Sequence, residues 1–160
     1  MSRYAANTET SVTASRAEIE KTITRYGGDD FTSGQSVANC QAFVQFLYRE
    51  RRIEFRIPLP NIADNRFQET PTGYARNEKT IRDEWEKACR QQWRVLLLFI
   101  KAGLEAVENG MPVEKAFLAW LTLPDGGTIG ERVMPRLKAL LAGGPVKGLL
   151  DVGIAKESES

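Results

Sequence analysis

The stretch from Asn77 to Glu108 constrains the fold of this chain more than any other. Ile81, Trp85, Ala88, Trp93, Leu96, Ile100, Leu104 and Val107 keep helical spacing across it, which predicts one long amphipathic helix. Asn77 is placed to cap its start, because a short side-chain oxygen can accept from first-turn amides, and Asn109-Gly110 to close it. Within it, Val95-Leu96-Leu97-Leu98-Phe99-Ile100 is apolar all round. The middle of this helix is therefore expected to be covered on most sides and to form the spine of the core.

The remaining segments must pack around that spine. Ser15-Arg16-Ala17-Glu18 has the form of a capping box and should open a short N-terminal helix carrying Ile19, Ile23 and Tyr26 on one face, ended by Gly27-Gly28. From Cys40 to Tyr48 and from Arg52 to Leu59 the period changes to two, so two strands are expected, joined by a short turn at Arg49-Glu50-Arg51 whose type is open without a glycine. Phe31-Thr32-Ser33 can add a short third strand. Pro58 and Pro60 stop the ladder. Residues 61–76 read as a linker. Two shorter helices, from Val113 to Leu121 and after a second capping box at Thr128 to Glu131, should present Phe117, Trp120, Leu121, Val133, Leu137, Leu140 and Leu141 to the core. The fold class is α+β: an N-terminal helix, then a small antiparallel sheet, either a β-hairpin or a three-stranded meander. The sheet packs on a long central helix followed by two shorter C-terminal ones. The expected organisation is a flexible arm over 1–14, a single domain over 15–150 and a flexible tail over 151–160.

Composition excludes more chemistry than it supports. None of the 160 residues is a histidine, which removes His-based triads, His-ligated metals and the usual near-neutral general base. Cys40 and Cys89 are too far apart in sequence for a CxxC metal site and read as small buried hydrophobes in a reducing cytoplasm. There is no P-loop and no nucleophile elbow, and Glu54-Phe55-Arg56 lacks the lysine of a nuclease-type pair. Asp29-Asp30 reads as a solvated turn rather than a metal site. The sequence therefore supports no enzymatic activity, no cofactor and no metal. The longest apolar run spans six residues, where a membrane helix needs about 20, so no membrane partner is expected.

Charge is distributed more informatively than its sum of +1 implies. Residues 1–48 hold 4 basic and 5 acidic side chains, residues 49–101 hold 12 and 8, and residues 102–160 hold 6 and 8. Two clusters make the central excess. Arg49, Arg51, Arg52 and Arg56 lie on the hairpin, and Lys87, Arg90, Arg94 and Lys101 fall in one helical stripe. Arginine forks suit phosphate, so the eight are candidate nucleic-acid contacts, with Tyr48, Phe67 or Tyr74 available to stack on unpaired bases. That reading needs the two clusters to share a face, and it expects Arg51, Arg52 and Arg56 changed to Glu to lose binding. The bland alternative pairs these arginines with neighbouring acids, Glu54 and Glu86 among them. Arg66, Phe67, Tyr74 and Arg76 in the linker are residue types found at protein interfaces, and they are the candidate contacts for a protein partner.

Several of these stretches together, Ser15-Arg16-Ala17-Glu18-Ile19-Glu20 leading to Arg25-Tyr26-Gly27, Arg51 to Pro60, Lys101 to Glu108, and Leu123-Pro124-Asp125-Gly126 with Thr128 and Gly130, resemble a family of small phage and prophage proteins over about residues 15–141. The resemblance carries no catalytic motif. It implies a bacterial host cytoplasm and a role in phage genome metabolism or in countering host defence. The leading expectation is an accessory protein that binds nucleic acid, as single-stranded DNA, in replication or recombination. The rival is a protein-binding inhibitor of a host defence or replication factor, and a third reading is a homo-oligomeric assembly factor.

Overall fold

A computed structural model describes residues 3–144, with side-chain surroundings from residue 12 onward; the expected tail and the end of the domain at 150 lie outside the described residues. The element order is α1 (Arg3–Arg25), β1 (Asp29–Ser36), β2 (Gln41–Tyr48), β3 (Arg51–Pro58), α2 (Asn65–Gln68), α3 (Glu78–Glu108), α4 (Val113–Ala116), a 3-10 turn at Leu118–Trp120, and α5 (Ile129–Leu141). This is the α+β arrangement expected from the sequence. Asn77 caps α3, its side-chain oxygen accepting from the Thr80 amide at 2.8 Å.

The three strands form one antiparallel sheet in the order β1-β2-β3. Tyr48 pairs with Arg51, so Arg49 and Glu50 alone make the β2-β3 turn, at φ 46° and 62°. Both central residues are left-handed, which is the primed turn whose twist matches paired strands, although neither residue is the glycine or asparagine that adopts it cheaply. Alternation along β2 and β3 then gives the sheet two unlike faces. Val44, Phe46, Ile53 and Phe55 are buried against Trp93, Leu96, Ile100 and Leu104 of α3, Ile19 and Ile23 of α1, and Phe117. The opposite face carries Phe43, Gln45, Leu47, Arg52, Glu54 and Arg56. Phe46 stacks on Phe55 at 6.3 Å, and Phe117 meets both edge-on at 6.4 and 6.1 Å.

Six details differ from the sequence reading. The N-terminal helix begins at Arg3, not Ser15, so Ser15 lies inside α1 and the segment read as an arm is helical from residue 3. No glycine or proline interrupts the chain before Gly27, and Val12, buried at 7%, extends the face of Ile19 and Ile23. β1 runs the length of β2, with a bulge between Asp29 and Thr32 where Asp30 takes φ 53°. Residues 61–76 are structured: Phe67 is buried, Glu69 bridges Ala75, and Trp85 Nε1 donates to the Pro60 carbonyl at 2.7 Å. The helix expected from Val113 to Leu121 breaks at Phe117, whose backbone (φ −119°) turns the ring into the core over Gly103. Finally, the middle of α3 is not covered on most sides, and α5 has no fully buried residue. One small sheet and one neighbouring helix cover only part of a helix's circumference, so Val95, Leu98 and Phe99 remain exposed.

Three outcomes follow from this packing. A Cβ on Gly103 would stand 2.5 Å from Phe117 Cζ. Gly103→Ala should therefore lose about 1 kcal/mol in a denaturant titration, because overpacking outweighs its better helix propensity; a gain would contradict the close approach. Glu50→Gly relieves a left-handed residue and should raise stability by about 0.5–1 kcal/mol in the same assay. Burial pushes the Cys89 thiol up from 9.0 to about 11, with Glu86 adding to the effect. Cys89 should resist alkylation at pH 8 in the folded protein and react in denaturant. Because the folded value is the higher, its contribution to stability is complete below about pH 9 and is lost as pH rises through about 11.

Candidate nucleic-acid interface

The hairpin arginines are matched to carboxylates supplied by other elements. Arg49 Nη2 donates to Glu108 Oε1 at 3.1 Å at the end of α3, and its guanidinium also lies over the Tyr48 ring. Arg51 Nε donates to Glu114 of α4 at 2.8 Å, and Arg52 Nη2 to Asp30 of β1 at 2.5 Å. Arg56 lies between Glu54, to which it donates, and Glu131 at the start of α5. The bond to Glu54 holds the Arg56 guanidinium above its ordinary pKa; its own backbone hydrogen bond and then Arg51 hold the Glu114 carboxyl below the usual range. These exposed pairs contribute little to stability, yet they neutralise the charge that a phosphate would seek.

The α3 stripe is different. Lys87, Arg90, Arg94 and Lys101 lie along one flank of the helix, and the span from Lys87 to Lys101 is about 21 Å at helical rise. α1 packs beside this flank and adds Lys21 and Arg25. Two hollows of about 490 and 570 Å³ between the helices share Glu18, Leu97 and Leu98 in their linings, so they form one continuous trough. Its walls carry those six cations against the single carboxylate Glu18, over a floor of Leu97 and Leu98. Among the described residues, none of the six is in an ion pair, whereas every hairpin arginine is. At the far end of the trough the Tyr26 hydroxyl donates to Glu105, which ties α1 to α3 and raises the tyrosine pKa.

The two clusters therefore do not share a face. Arg52 and Arg56 point away from α3, on the uncovered side of the sheet, while the stripe lines the helical side. Two of the aromatics expected to stack on bases are also withdrawn: Tyr48 is 2% exposed, with its hydroxyl donating to Glu108, and Phe67 is 3% exposed. In the linker, Arg66 lies over the Phe67 ring, and the Arg76 amide donates to the Gln68 carbonyl. Tyr74 stands well out, 74% exposed at the loop tip. Lys21 and Arg25 went unnoticed in the sequence because their i, i+4 spacing marks only a solvated helical edge. Their position beside Lys101 comes from the packing of α1 on α3. A third hollow, of about 320 Å³ beside Trp120 and Met134, has its charges already joined through Arg56, Glu54 and Glu131. Among the described residues no group of three or more Cys, Asp or Glu is placed to hold a metal, and Asp30 serves Arg52 instead.

Fold and trough together define a two-layer α+β protein with a basic channel between its principal helices, where Arg25 lies over the Tyr26 ring and, among the described residues, no lining cation is in an ion pair. No protein-family model matches the chain, nor does any curated protein or solved structure. Among the described residues, no helix is long and apolar enough to cross a membrane.

Proposed function

We propose that this protein binds nucleic acid, as single-stranded DNA, through the trough between α1 and α3, and acts as a phage-type accessory factor in genome replication or recombination. One observation carries the reading: among the described residues, six cations outside any ion pair line the channel, with Glu18 the one carboxylate in its walls. Unpaired cations retain the full charge that displaces counterions from a phosphate backbone. The net charge of +1 is no obstacle, because the acids are concentrated elsewhere and the field over the trough is local.

Anisotropy of a labelled single strand titrated at several salt concentrations tests this. Engagement of all six cations gives a slope of log affinity against log salt of about −4, at about −0.7 per contact. Arg90→Glu combined with Arg94→Glu should weaken binding by more than about tenfold at low salt and flatten the slope. Arg51→Ala combined with Arg52→Ala should change neither. Absence of binding at low salt, or an equal loss in the hairpin variant, would overturn the assignment.

A second reading rests on Tyr74, held out at the tip of a loop that Phe67 anchors: a protein-binding inhibitor of a host defence or replication factor. A complex of that kind would survive nuclease treatment and be lost in Tyr74→Ala, which is remote from the trough.

A further inference from the structure

We infer that Val95, Leu98 and Phe99 on α3 form a base-contacting platform beside the basic stripe, so that the trough holds an unpaired strand by its bases as well as its phosphates; this rests on the nucleic-acid reading above. The three side chains are 53%, 61% and 50% exposed. Val95 and Leu98 take no part in the core cluster, which closes without them. Phe99 meets Phe55 and Trp120 edge-on at 5.7 and 6.3 Å, which fixes its ring while half of its area stays in water.

Their position is set by helix geometry. At 100° per residue, Leu98 lies 40° around α3 from Arg94 and Val95 lies 100° around, an arc of about 9 Å on a cylinder 10–12 Å across. Leu98 also lines both halves of the trough. A strand whose phosphates follow Lys87, Arg90, Arg94 and Lys101 therefore carries its bases across Leu98 and Val95, with Phe99, 140° around from Arg94, at the outer edge of the strip. Any base offers an apolar face to such a surface, so the contact is tolerant of sequence. A paired duplex keeps those faces stacked inside and gains nothing from the platform. Charge argues against a second copy as the occupant. A two-fold antiparallel contact on this strip would bring the Arg94 and Lys101 flank of one molecule against the same flank of the other.

The test compares a thymidine strand with an abasic strand of equal length and charge. The wild-type protein should prefer the thymidine strand by about tenfold or more, and Val95→Ser combined with Leu98→Ser should reduce that preference to about twofold. The salt slope should stay unchanged, because no cation is altered. Both positions are exposed, and far-ultraviolet circular dichroism checks that the variant is folded; Leu98→Phe should restore the preference. Equal wild-type binding of the two strands overturns the platform and leaves the phosphate trough intact, whereas binding of neither strand removes the underlying reading. A platform used for self-association is revealed by a wild-type dimer in light scattering that the double variant loses. One used for lipid is revealed by flotation with anionic vesicles that the double variant loses. Either result with no strand preference overturns the inference.

Discussion

The contact between one face of α3 and the inner face of the three-stranded sheet governs the rest of this structure. Trp93, Leu96, Ile100 and Leu104 are buried there against Val44, Phe46, Ile53 and Phe55, each fully buried side chain contributing about 1.5–3 kcal/mol. The sheet has a single covered face, so there is one helical layer and α3 lies within it rather than at the centre of a ball. With the sheet below and α1 to one side, the remaining arc of α3 faces outward. That arc holds both the basic stripe and the apolar strip, so the trough is a consequence of a core too small to surround a helix of 31 residues.

Charge follows the same division. Arginines near the sheet lie within reach of Asp30, Glu54, Glu108, Glu114 and Glu131, contributed by five different elements that meet around the hairpin and the β3 edge. The cations of α3 and α1 line a trough whose one carboxylate, among the described residues, is Glu18. Groups far apart in sequence are brought together by packing alone, as with Arg56 and Glu131 in an ion pair and Tyr26 and Glu105 in a hydrogen bond. Counting basic residues per segment found the central excess but could not separate the arginines held by carboxylates from those of the trough.

Local patterns in the sequence determined the elements. The Asn77 cap, the period of α3, the strand alternation from Arg52 to Leu59 and the Thr128–Glu131 capping box all depend on neighbours within a few residues, and all appear in the structure. Where the reading failed, longer-range forces decided. Val12 extends α1 because the core buries it, Phe117 breaks a helix because the core takes its ring, and Phe67 turns a linker into a docked loop.

The sequence by itself thus determined the α+β class, the order and most of the limits of its elements, and the stripe of cations on α3, since periodicity and capping are properties of adjacent residues. Only the tertiary structure decided which cations are paired, that Lys21 and Arg25 join the stripe, and that Val95, Leu98 and Phe99 are left outside. Those outcomes depend on how few surfaces a small sheet and one neighbouring helix can cover, and no local pattern encodes that.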